Sequence, residues 1–303
     1  MTKKYLSLSP LTLKVGALLV TGIGLPCMVN SQTLPYSYDF EDLSPGNIAP
    51  TFLAGNLNEI TGTGRQGNPY GWYGSAFGTN ERVTISPDMN SPWDVGGSQS
   101  AALVDRNASS IAPSIYNYFT DRTGLTNNNP SSVDVDGSLG ASLTGSGYTV
   151  AWDFYGADLN TQPHFAFYSS NGTEAFALDV RYSTHYLRYS DGSGSTQLVE
   201  YAMKDENWYR FEVVDIDIDN QTYGFNVYEW NGTSGTTVAT VTDAAFANSV
   251  TDLDYFRLRV NTANTEPEYY LDNFSIIPEP SSTALLFGSF TCMLAIFMKR
   301  RRQ

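Results

Sequence analysis

Cysteine is almost missing from this chain. Cys27 and Cys292 are the only two in 303 residues, and each lies in a terminal segment. The body between them has no thiol, so neither a disulfide nor thiolate chemistry is open to it. At roughly 245 residues that body can bury a sufficient core without covalent staples, as one domain or at most two small ones. Histidine is as scarce. His164 and His185 are the only two, and neither stands in a Gly-x-Ser-x-Gly or His-Glu-x-x-His setting. Both read as ordinary sheet or loop residues. Lys204 is the only lysine between residues 32 and 277. Seventeen basic residues face 31 acidic ones, a net charge of −14, and seven of the basic ones sit at the two ends. So cation-poor a body excludes nucleic acid and anionic lipid as expected partners, because phosphate binding needs cations. Helical periodicity is missing too, apart from a short turn expected at Asp243–Ala247, and no repeat of fixed period occurs.

What the chain does have begins at its ends. Lys3, Lys4 and Lys14 precede an apolar run, Val15 to Leu25, and Val29-Asn30-Ser31 offers acceptable residues at −3 and −1. Residues 1–31 therefore read as a signal peptide, excluded from the fold. Cys27 raises a lipoprotein alternative, which Pro26 directly before it disfavours. At the other end stand Pro278-Glu279-Pro280, an uncharged apolar stretch from Ser281 to Met298, and Lys299-Arg300-Arg301-Arg302. As a helix, 281–298 is long enough to cross a bilayer core of roughly 27–30 Å, and the four cations would stop transfer on the cytoplasmic side.

These three parts, in this order, resemble the PEP-CTERM sorting signal of Gram-negative, exopolysaccharide-producing bacteria. The resemblance covers 278–303. It implies an exosortase as processing partner, a transient inner-membrane anchor, removal of the helix, and delivery to the cell surface or extracellular matrix. The plain alternative is a C-terminal anchor that is never processed.

Between the ends, short aromatic and β-branched runs alternate with Gly, Asn, Ser and Asp clusters, an all-β texture. Strands are expected at Tyr36–Glu41, Gln99–Asp105 and Tyr148–Phe154, then at Pro163–Tyr168, Ala175–Val180 and Tyr186–Tyr189. Four more are expected at Asn207–Ile216, Thr222–Glu229, Leu253–Val260 and Tyr269–Ile276. Leu43–Asn80 reads as loop, and Asn107–Gly147 as a long excursion around one or two strands. Ten to thirteen short strands imply a two-sheet antiparallel sandwich over 32–277. The segments Asn207-Trp-Tyr-Arg-Phe-Glu-Val-Val, Leu253-Asp-Tyr-Phe-Arg-Leu and Tyr269-Tyr-Leu-Asp-Asn-Phe-Ser-Ile276, with the opening Asp39-Phe-Glu-Asp42, resemble the concanavalin A-like (laminin-G-like) jelly-roll family. The alternative is a galactose-binding-like jelly roll.

That resemblance implies, in some members, a structural Ca²⁺ where the first and last strands meet, here Glu41 with Asp272. Oxygen ligands from carboxylates and carbonyls suit calcium. The plainer reading is that Asp272-Asn273 satisfies backbone groups at a strand end. Asp215, Asp217 and Asp219 alternate like the start of an EF-hand loop, but Asn220 and Asn226 stand where that loop needs Gly and Glu, so a solvated sheet face is expected. Catalysis is poorly supported. The Glu-x-Asp-x-x-Glu strand of laminarinase-like enzymes on this fold does not occur in the chain. Sugar contact is the more credible chemistry, because Trp and Tyr faces stack on the C–H faces of sugar rings. Trp72, Tyr73, Trp93 and Trp230 are its candidates, with core packing as the ordinary alternative. The sequence thus points to an exported, non-enzymatic surface or matrix protein that binds exopolysaccharide. A secreted glycan-active, glycoside hydrolase-like enzyme and a purely structural protein are the alternatives.

Overall fold

The computed structural model describes residues 35–40, 71–75, 81–87, 89–94, 97–105, 113–126, 132–135, 137–192, 196–260 and 268–279. The expected signal peptide at 1–31, Glu41, Pro280, the apolar stretch 281–298 and the basic end 299–302 lie outside these residues. Among the described residues no helix is long and apolar enough to cross a membrane.

In chain order the strands are β1 (Tyr36–Tyr38), β2 (Trp72–Ser75), β3 (Glu81–Ser86), β4 (Ser100–Asp105), β5 (Ser114–Tyr118), β6 (Arg122–Thr126) and β7 (Ser132–Val135). There follow β8 (Ser146–Gly156), β9 (Pro163–Tyr168), β10 (Glu174–Val180), β11 (Tyr186–Ser190), β12 (Thr196–Ala202) and β13 (Asn207–Asp217). The last four are β14 (Thr222–Trp230), β15 (Gly235–Ala245), β16 (Tyr255–Val260) and β17 (Glu268–Pro278). One sheet runs β15-β14-β13-β8-β17-β4-β3, with β1 also on β17, and the other runs β12-β11-β10-β9-β16-β5-β2. Every pairing is antiparallel, and β6–β7 forms a separate hairpin. The chain is therefore a two-sheet antiparallel sandwich.

The period-2 pattern explains the core. Val150, Trp152 and Phe154 of β8 are fully buried, as are Phe165 and Phe167 of β9 and Phe211 of β13. Across the sandwich, Trp152 packs on Phe165 and Phe256 of the opposite sheet, with centroids 5.4 and 5.1 Å apart, and stacks on its neighbour Phe211 at 5.3 Å. Two bulges let long strands keep this core. In β17 the inward residues change from Tyr269 and Leu271 to Phe274 and Ile276, because Asn273 (φ 49°) inserts one extra residue. In β13 Asp215 (φ 51°) does the same between Val213 and Ile216. Asn and Asp tolerate this left-handed backbone better than most residues, and the bulge re-aims every side chain after it.

Two sequence expectations change. Asp243–Ala247 is not a helical turn: Asp243, Ala244 and Ala245 end strand β15, paired with β14. Trp72 and Tyr73 are not in a loop but in β2, which pairs with β5. Gly71 (φ 77°) directly precedes that strand, and a Cβ there would stand 2.1 Å from the Tyr118 carbonyl oxygen, so only glycine lets the two backbones close.

Candidate functional site on the outer face of the second sheet

Since Phe165 and Phe167 of β9 point inward, His164, Ala166 and Tyr168 point outward. The same alternation turns out Glu174, Ala177 and Asp179 of β10, Tyr255, Arg257 and Arg259 of β16, and Ser114, Tyr116 and Tyr118 of β5. The antiparallel register then sorts them into three rows across the strands. One row is Arg188, Asp179, His164, Arg259 and Ser114. The middle row is Ala177, Ala166, Arg257, Tyr116 and Tyr73. The third is Glu174, Tyr168, Tyr255 and Tyr118. Two alanines in the middle row leave its floor low between a charged row and an aromatic one.

The charges on this face are unevenly met. Arg188 grips Asp179 with two bonds, Nε to Oδ1 at 2.5 Å and a terminal nitrogen to Oδ2 at 2.9 Å. Arg257 donates to the Tyr168 hydroxyl and lies 4.5 Å from the centre of that ring. Neither Arg257 nor Arg259 has a carboxylate ion-pair partner among the described residues, and the buried Nε of each has no hydrogen-bond partner there. Tyr168 also donates to Glu174 Oε2 at 2.7 Å. His164 is only 6% exposed, its Nδ1 is unpartnered, and its Nε2 stands 3.8 Å from Glu174 Oε2. Burial first, and then Arg259, Arg257 and Arg188, lower its pKa to about 3, so the ring is neutral. Burial raises the hydroxyl pKa of Tyr168 and Tyr255, and that of Tyr73 to about 12, so these phenols stay protonated donors.

The site residues expected from sequence are scattered. Trp72 is fully buried in the core, its Nε1 donating to the Tyr36 hydroxyl at 3.1 Å, which leaves no ring face for a sugar. Tyr73 stands at the aromatic end of the outer face just described, 4% exposed. Trp93 and Trp230 pair edge-to-face at 5.1 Å, but on the outer side of the other sheet, with Arg210 5.2 Å over the Trp93 ring. Asp272 is fully buried beside Asp153. Its oxygens accept the backbone N–H groups of Ser91 at 3.1 Å and Asn273 at 2.8 Å. Among the described residues no group of three His, Cys, Asp or Glu side chains is placed to hold a metal ion. His185 contacts Asn160 Oδ1 at 3.1 Å in the turn between β10 and β11, as a loop residue would.

Arg257, Arg259, Arg188 and Tyr168 were missed as site residues. The signal was present in Tyr255-Phe-Arg-Leu-Arg-Val260, where alternation puts both arginines on the side away from Phe256 and Leu258. Which strands lie beside it is a fact of topology, not of local pattern.

No family model matches the chain, and no curated protein matches it in sequence. Solved structures similar to it include the marine alginate lyase of Aplysia kurodai, at 11% identity and TM-score 0.46, over 80% of this chain and 98% of that one. An endo-β-1,4-glucuronan lyase from Trichoderma reesei aligns at 12% identity and TM-score 0.43, over 71% and 94% of the two chains. Lectin II from Ulex europaeus aligns at 7% and 0.46, over 82% and 100%. Likeness at this level is one of fold and assigns no activity. The sequence expectation of a non-enzymatic protein is nonetheless corrected. Glycan-active enzymes stand beside lectins among the similar structures, which runs against that expectation and, at this level of likeness, establishes no enzymatic activity for this chain.

Proposed function

We propose that the chain is a secreted glycan-active enzyme working on an acidic polysaccharide along the outer face of the second sheet. One observation carries this: Arg257 and Arg259, without carboxylate partners among the described residues, flank a neutral His164 and a protonated Tyr168. In so acidic a chain, two uncompensated guanidinium groups in adjacent rows are a receptor for carboxylates. A bound carboxylate would also offset one unit of the positive charge that depresses His164, raising its basicity once substrate is in place.

The chemistry that fits is β-elimination. The arginines take the sugar carboxylate and stabilise charge developing on it. His164 accepts the proton on the carbon next to that carboxylate. The bond from the neighbouring ring carbon to the glycosidic oxygen breaks, and a carbon–carbon double bond forms between the two ring carbons. Tyr168 hands its proton to the departing oxygen, and solvent carries the proton from His164 back to Tyr168. Hydrolysis by two carboxylates is less well served, since Glu174 receives the Tyr168 hydroxyl and Asp179 is clamped by Arg188. Incubation with polyuronates and neutral glucans tests the proposal, with alginate and glucuronan tried first. Unsaturated sugar ends should absorb in the ultraviolet from a uronate polymer only. No new ends from any glycan would defeat it.

Delivery is a separate proposal, supported by the sequence of the two ends: export, a transient inner-membrane anchor, exosortase processing and a final place at the cell surface or matrix. Loss of 278–303 should release the protein into the medium, while changing Pro278-Glu279-Pro280 alone should trap a membrane-bound form. A structural calcium at Glu41 and Asp272 is likewise a proposal, supported here by the burial of Asp272 beside Asp153 alone. A melting temperature unmoved by chelator would remove it.

A further inference from the structure

The structure brings the sorting motif into contact with the folded body. β17 is a central strand of its sheet, held by β8 on one side and by β4 and β1 on the other. It does not stop where the body was expected to end at residue 277. Pro278 is still in register opposite Tyr148, and the Glu279 N–H donates to the Gly147 carbonyl at 2.7 Å. The Glu279 carboxylate then receives two donors on one oxygen, Thr149 Oγ1 at 2.9 Å and the Asp215 N–H at 2.9 Å. The second donor exists because of the β13 bulge. Asp215, in left-handed backbone, turns its N–H out of the β13–β8 ladder and toward the strand end. Gly147 (φ 86°) gives the neighbouring backbone room, with a Cβ placed there 3.9 Å from the Glu279 Cβ.

We infer that Glu279 is a closing latch of the folded body, and that processing of the tail cuts the chain beyond Glu279, leaving Pro278 and Glu279 on the mature protein. The inference rests on the proposal that the tail is removed. Its physical reason is access. A peptidase needs several residues extended and free around the bond it cuts. Here everything up to Glu279 is committed to a ladder whose removal would expose Ile276, fully buried in the core. The latch also gives Glu279 two tasks, one in the fold and one in the motif.

Two measurements decide it. Full-length chain is digested with a broad-specificity protease and the limit fragment weighed. Its C-terminus should lie at Glu279 or later, and one at or before Ile277 overturns the latch. Thr149→Val leaves the motif intact and removes one donor. Trimming into 277–279 should speed up by roughly fivefold, the factor carried by one hydrogen bond of about 1 kcal/mol; an unchanged rate overturns the latch. Mature protein from producing cells is weighed in parallel. A C-terminus upstream of Glu279 overturns the cleavage position. A tail retained in full overturns both that position and the sorting proposal, while the digestion still decides the latch on its own.

Discussion

Arg259 and His164 stand directly opposite one another on β16 and β9, and their closeness is part of what keeps the imidazole neutral. The relationship can be read by titration. The C2 proton resonance of His164 should move only near pH 3 in the free protein. In Arg259→Gln the midpoint should rise, because the second-largest cause of the depression is gone while burial remains. Saturating an acidic oligosaccharide should raise it as well. A midpoint near 6.5 in the free protein would contradict the geometry.

The same group fixes one limb of the stability profile. The folded pKa lies below the unfolded one, so between about 3 and 6.5 the unfolded chain binds a proton that the native state does not. Stability is then lost as pH falls through that window, by about 1.4 kcal/mol per pH unit at most. His164→Gln should flatten the acid limb of a denaturant-midpoint series relative to the parent.

Asp272 acts with the opposite sign. Burial first, with Asp153 and Asp94 adding to it, raises its pKa to about 8, against the lowering pull of the Ser91 and Asn273 N–H groups. Between about 4 and 8 the native state holds a proton that the unfolded chain has released, so this residue makes the protein less stable as pH rises. Asp272→Asn, neutral throughout, should remove that decline. If calcium binds here, adding it to the parent should do the same, and its failure at pH 8 would count against a metal at this position.

On the proposed working face, Arg257→Gln should reduce turnover of an acidic polymer by roughly 10- to 100-fold, the loss expected for a hydrogen bond to a charged partner. Arg257→Lys should restore part of it and make the reaction more sensitive to salt, since a lysine offers a point charge in place of a planar fork. Trp93→Ala and Trp230→Ala, on the other sheet, should leave turnover within twofold. A collapse of activity in either of those variants, with the fold intact by circular dichroism, would move the site to that sheet.

How much of this was legible follows from what alternation can and cannot say. Tyr148–Phe154 and Pro163–Tyr168 are strands in both readings, because period-2 aromatics have no other stable home. The outer face was invisible, since it is assembled from β5, β9, β10 and β16, which lie far apart in the chain. The scarcity of cations, read against nucleic acid and anionic lipid, could not show where the cations gather, for the same reason. Charge counts average over the chain, whereas register puts Arg188 and Arg259 in one row and Arg257 in the next. Trp72 misled because Gly-rich flanks looked like a loop. They serve a close backbone approach at Gly71 instead.

Arg210 offers the sharpest test of the other sheet. Its guanidinium holds the fully buried Asp153 with two bonds, Nε to Oδ1 at 2.7 Å and a terminal nitrogen to Oδ2 at 3.0 Å, and lies under Trp93. Ser91 Oγ and Asn273 Nδ2 complete that carboxylate, at 2.5 and 2.7 Å. Removing the cation leaves a buried charge next to Asp272. Arg210→Ala should therefore lower unfolding free energy by about 3–5 kcal/mol, more than the pair itself contributes. Adding Asp153→Asn to that variant should recover a good part of the loss, because the stranded charge is then gone. If the double variant is as unstable as the sum of the singles, the damage lies in lost packing under Trp93 and not in the charge.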